Sequence, residues 1–111
     1  MDKEIPSAIR TFLENLVYAS DEFDRGELIP DALMQELYGQ LNEWISRYLL
    51  SSIPPDKLGQ YNLMNQKGAS AEILDVYAAN NVPNYSEVLK KAYKDFYDNY
   101  LEKIREERSG R

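Results

Sequence analysis

Ahead of the C-terminal third of the chain, the longest run of helically spaced apolar residues lies between Asp31 and Ile53, and it constrains everything that can surround it. Met34, Leu37, Tyr38, Leu41, Trp44, Ile45, Tyr48 and Leu49 recur every three or four positions, while Glu36, Gln40, Glu43 and Arg47 collect on the opposite side of the helical wheel. Leu33 and Ile53 widen the apolar arc well beyond the narrow seam of a coiled coil. One neighbour cannot cover a face that wide. The spacing therefore predicts a central helix packed by the segments on either side of it.

Those segments carry the same period. Ile5, Ile9, Phe12, Leu13 and Leu16 predict a first helix opened by Pro6 and Ser7, followed by an acidic connection in which Gly26 suits a left-handed turn and Phe23 is the anchor. Pro54-Pro55 stops the central helix and starts a short third one that runs to about Gln66, with Leu58, Tyr61 and Met64 turned inward and Lys67-Gly68 at its end. Ser70 is expected to cap a short fourth helix that presents Ile73, Leu74, Tyr77 and Ala78 on one side, and Asn80-Asn81-Val82-Pro83 ends it. Asn84 and Glu87 form a capping box for the last helix, whose buried stripe is Tyr85, Val88, Leu89, Ala92, Tyr93, Phe96, Tyr100 and Ile104, with Lys94 and Asp98 paired on its exposed side. The stripe stops there, so residues 105–111 are expected to form a solvated tail. No stretch alternates with strand period. The expectation is an all-α bundle of about five helices, the third and fourth short, in a single domain spanning residues 1–104.

Composition narrows the chemistry. With neither cysteine nor histidine, the chain lacks disulfides, thiolate nucleophiles, the usual general base near neutrality and most transition-metal ligands. Only carboxylate, lysine, tyrosine or hydroxyl chemistry remains. The formal charge of −6 is uneven: residues 1–50 hold ten acidic and four basic side chains, residues 51–111 nine of each. Such a balance disfavours direct contact with nucleic-acid phosphates. The opening residues lack the pattern of a secretory leader, and no stretch approaches the ~20 apolar residues that span a bilayer. A cytoplasmic protein that binds neither membrane nor nucleic acid is expected.

Arg47-Tyr48-Leu49-Leu50, Ile53-Pro54-Pro55-Asp56, Tyr61-Asn62, Tyr77, the Asn81 to Tyr85 turn and the helix ending Phe96 to Leu101 together resemble a family of small bacterial helical domains of unknown function, over residues 30–101. The resemblance implies a compact helical domain and brings no activity with it.

Three constellations are candidates for function. Leu50, Tyr97 and Leu101 fall off the buried stripes of their helices and are candidates for a protein interface, in a chain whose nine tyrosines suit such a surface. Glu72 with Asp75, and Asp95 with Asp98, each place two acids one helical turn apart; facing pairs could hold Mg²⁺ against the phosphates of a nucleotide. The third is the acidic stretch 21–36, which could occupy the basic groove of a nucleic-acid-binding protein. Its likeness to a calcium loop fails, because Phe23, Arg25 and Ala32 stand where oxygen ligands are needed. The expected function is a non-enzymatic interaction or accessory module that binds a protein partner or forms a homodimer, without a cofactor. The alternatives are a Mg²⁺-dependent nucleotide hydrolase and an acidic decoy.

Overall fold

A computed structural model describes residues 4–109 and, at Ala71, the backbone alone. Five helices follow one another: α1 (Ser7–Ala19), α2 (Asp31–Ser52), α3 (Pro55–Gln66), α4 (Ala71–Asn81) and α5 (Tyr85–Ser109). No strand occurs among the described residues. The fold is all-α, with α3 and α4 short. The chain divides into two compact units: residues 1–42 with 94–111, and residues 43–93. Both long helices, α2 and α5, contribute residues to each.

The first unit is built on the apolar positions that the sequence sets at helical spacing. Leu13, Leu16 and Val17 of α1, Met34, Leu37 and Leu41 of α2, and Phe96 of α5 are buried, as is Ile5 ahead of α1. Ile29 anchors the chain just before α2. Between α1 and α2 the backbone turns through two positive-φ residues, Gly26 at +99° and Asp21 at +62°. Asp21 has a side chain in the left-handed region, which a short carboxylate tolerates better than a branched residue does. Hydrogen bonds within the loop fix its shape. Tyr18 Oη donates to the Glu27 carbonyl (2.9 Å), the Asp24 amide donates to Glu27 Oε1 (2.8 Å), and the buried Ser20 Oγ donates to the Val17 carbonyl (2.6 Å).

The second unit has a smaller core. Leu49, Ile53, Ala78 and Val82 are buried together, with Ile45, Leu58, Tyr61, Tyr77, Tyr85 and Val88 packed half-buried against them. The ends of α3 show how local chemistry fixes the path. The Pro54 carbonyl accepts from the Lys57 and Leu58 amides, and at the other end the Gly68 amide donates to Asn65 and the Ala69 amide to Met64. That double bond with Gly68 at φ +84° is a Schellman ending. Ser70 caps α4 as expected, its Oγ accepting from the Ile73 amide (3.3 Å).

Residues 105–109 extend the last helix: α5 continues through Ser109, with those side chains exposed. A helix propagates past its buried stripe because each further residue adds a hydrogen bond without a new nucleus. Residues 110 and 111 lie outside the described residues. At the start of α5, Asn84 adopts φ +56°, and its backbone carbonyl accepts from the Glu87 and Val88 amides (2.9 and 3.0 Å).

Gly39 sits mid-helix in α2 with open space around the position its Cβ would take, so no close approach of another element requires it. Gly39→Ala should raise stability by about 0.5–1 kcal/mol. Leu41→Ala, at a fully buried position, should lower it by about 2–5 kcal/mol. Both changes are read from the midpoint of urea unfolding followed by circular dichroism.

Candidate protein-interaction surface

The fourth helix is where the fold departs most from a satisfied amphipathic pattern. Going round its wheel, Leu74, Ala78 and Tyr77 occupy one side, and Ile73, Val76 and Asn80 the other. The first group turns into the core of the second unit: Leu74 and Ala78 are buried, and the Tyr77 hydroxyl donates to the Lys57 carbonyl of α3 (3.0 Å). The rings of Tyr61 and Tyr77 lie 6.5 Å apart, which locks α4 to α3. The second group faces outward. Ile73 is 53% exposed and Val76 59% exposed, and Leu63 on α3 is 43% exposed.

Ile73 was expected inward with Leu74; the structure turns it out with Val76. The two choices differ by one position on the wheel, and an 11-residue helix apolar on both sides gives periodicity little to choose between. The signal that singles out this surface is charge. Residues 58–86 carry only Lys67, Glu72 and Asp75, three charges in 29 positions of a chain that is 29% charged overall. The outer side of α3 adds Gly59, Gln60, Asn62 and Gln66, all exposed and uncharged. Sparse charge together with exposed aliphatic side chains is a composition that the centres of protein interfaces share.

Asp75 borders this region. Its carboxyl is raised from the ordinary aspartate range, first by partial removal of water and then by the Glu72 carboxylate. Tyr61 is raised as well, by burial and then by the charge of Asp75.

The residues singled out in the sequence are distributed over both units. Leu50, in the second unit, is half-buried. In the first unit Tyr97 is half-buried with its ring 6.2 Å from that of Phe12, and Leu101 is half-buried in the wall of a shallow pocket beside Ile104 and Arg108. Of the four acids, Glu72 and Asp75 are exposed on α4, Asp95 is half-buried, and Asp98 is held by Lys94 at 2.8 Å, an ion pair that raises the lysine. Among the described residues no group of three or more acids is placed to hold a metal ion.

In the acidic segment, the side chain of Leu28 is 92% exposed. Nearby, the Tyr100 hydroxyl donates to Glu22 Oε1. Burial, that hydrogen bond and the charges of Glu22, Glu107 and Glu36 all hold the phenol far above its usual range, so it serves as a permanent donor. Glu36, Lys103 and Glu107 also rim a cleft of about 170 Å³ over Leu37, Phe96 and Ile104, where charges of both signs lie close together and face solvent.

A raised carboxyl means that the folded state holds its proton more tightly than the unfolded chain. The ionised form therefore costs stability above the folded pKa, and the cost vanishes below the unfolded one. Asp75→Asn should raise Tm at pH 7, and its advantage over the wild type should close as pH falls through the carboxylate range. A thermal-melt series from pH 7 to pH 3 checks this. Comparison of the chain with protein-family models, with curated proteins and with solved structures finds no match to any of them.

Proposed function

We propose that this chain works by binding another protein chain, as a non-enzymatic interaction module, and that its working surface is the outer side of α3 and α4. The observation that carries the reading is the outward pair Ile73 and Val76, with Leu63, in a segment nearly free of charge. Full burial of side chains of this kind is worth about 1.5–3 kcal/mol each, and about half of that remains available to a partner here. The surface also lies on helices held by a Schellman ending, a serine cap and the tilted ring pair of Tyr61 and Tyr77, so little ordering cost is left for the moment of binding. Leu50, Tyr97 and Leu101 are each half-buried and expose less. The Mg²⁺-hydrolase reading asks Asp98 to leave Lys94 and gains no support from the placement of the other acids.

A second reading has one specific observation behind it. Leu28 stands clear of the protein among Asp21, Glu22, Asp24, Glu27 and Asp31, an apolar tip in an acidic loop that suits a basic partner with an apolar pocket. The two readings separate in one experiment. Benzoylphenylalanine introduced at position 73, 28 or 47 is photolysed in living cells; Arg47 is the exposed, charged control. Adducts at position 73 that persist at high salt, with none at 47, are the expected outcome. Adducts confined to position 28 and abolished by salt would transfer the function to the acidic loop, and adducts at none of the three would remove the interaction reading.

A further inference from the structure

We infer that the cleft between α2 and α5 in the first unit is a socket for an arginine side chain presented by a partner protein. The cleft lies wholly outside residues 43–93, so the inference goes beyond the reading of the α3–α4 surface and stands or falls apart from it.

The two helical stripes that build the unit also shape the cleft. Leu37 and Phe96 are buried and Ile104 half-buried, and together they form an apolar floor. Glu36 stands one position before Leu37, and Lys103 and Glu107 stand one before and three after Ile104. The helical period therefore lifts all three to the exposed rim. An apolar floor beneath carboxylates from two facing helices complements a side chain that has an aliphatic stem and a cationic head.

Size limits the occupant. The cleft of about 170 Å³ has room for roughly five or six waters at about 30 Å³ each, and it falls short of the about 300–1,000 Å³ of pockets that take drug-sized ligands. One long side chain is on that scale.

Charge sets the sign of the occupant. Among the described residues Lys103 forms no ion pair with Glu36 or Glu107, and Glu36 accepts only a long bond from Gln40 Nε2 (3.4 Å). One lysine thus faces two carboxylates that it does not neutralise. The Tyr100 hydroxyl in the cleft wall marks where acids gather. It donates to Glu22 and is held far above its usual range by burial first, then by that bond and by the charges of Glu22, Glu107 and Glu36. Those three acids come from the α1–α2 connection, α5 and α2. Beyond the rim, the unit's fourteen acidic side chains against eight basic ones draw a basic partner toward it.

The spread of the acids selects among cations. No group of three or more among the described residues is close enough to hold a metal ion, so a compact bare cation gains little. A guanidinium is wide, planar and weakly hydrated, and its five donors point in several directions, so it can reach carboxylates on both helices at once. The ammonium of lysine is compact and strongly hydrated, and leaving water costs it more. The Tyr100 ring in the same wall adds a face over which a guanidinium packs favourably.

The probe is Nα-acetyl-arginine methylamide, titrated to about 10 mM into the isotope-labelled full chain and followed by amide NMR, since a single side chain binds in the millimolar range. The uncharged citrulline analogue and the lysine analogue are the comparisons. Expected are saturable shifts at Glu36, Leu37, Tyr100 and Ile104 with the arginine probe, none with citrulline, and at least threefold weaker binding of lysine. Glu36→Gln with Glu107→Gln should weaken the arginine probe at least fivefold while leaving the helical spectrum unchanged. Lys103→Gln should tighten it, and Glu43→Gln, at an exposed acid of the other unit, should leave it as it is. Shifts that do not saturate, that scatter over other acidic surfaces, or that citrulline reproduces overturn the inference. A lysine probe that binds as well as arginine overturns the choice of occupant.

Discussion

Burial of the apolar stripe along α2 is the constraint on which both units depend, because a chain without cysteine or histidine has no disulfide to brace it and leans on packing and hydrogen bonding. The 22-residue helix gives Met34, Leu37 and Leu41 to the core of the first unit and Ile45 and Leu49 to that of the second, where Ile53, just past the helix end, joins them. Each core is then completed by a different kind of partner. The first is filled by the aliphatic face of α1 and by Phe96, with Leu13, Leu16 and Leu41 fully enclosed. The second is closed by small residues and half-buried tyrosines, and α3 contributes no fully buried side chain at all. Fewer enclosed methyl groups mean less stabilisation from that core, and α3 and α4 lie at its edge.

That edge explains the exposed aliphatic surface. A helix apolar on both sides is stable only when both sides are covered, or when one side tolerates water. Within the 43–93 unit α4 has one cover, formed by α3 and the Leu49–Ile53 cluster, and Ile73 and Val76 stay open to solvent. Lysine or glutamate at those positions would have removed the exposure at no cost to the core. Aliphatic side chains there are at odds with folding economy alone, and this supports the reading of the surface as one that is covered during function.

Much of the fold was legible because it rests on local rules. The stripes of α1, α2 and α5, the proline pair before α3, Gly68 after it and Ser70 before α4 all act through neighbours in sequence, and the structure uses them as the pattern implies. What escaped the pattern depends on relations that no short window contains. The left-handed Asp21 is fixed by the loop around it, since Tyr18, Ser20 and Glu27 all bond within that turn. The bond from Tyr100 to Glu22 joins residues far apart in the chain. Tyr97 falls off the α5 stripe and is half-buried, because Phe12 comes to meet it. The side of α4 that faces inward is settled by where α3 lies, which is why Ile73 was misassigned. The candidate surface itself was legible in principle, as a gap in the charge pattern and not as a motif.

That gap also bears on chemistry. A metal-assisted carboxylate site needs several acids converging with their charges unsatisfied. Here Asp98 is neutralised by Lys94, Glu22 is engaged by Tyr100 and Ser20, and Glu27 folds back on its own loop. Binding through an apolar surface has the reverse requirement: few charges at the contact, since each one buried there costs desolvation that a partner must repay. A chain can satisfy both that requirement and solubility only by placing its charge elsewhere. The division of −6 outside residues 43–93 and zero within them does so, and it leaves α3 and α4 free to present aliphatic side chains.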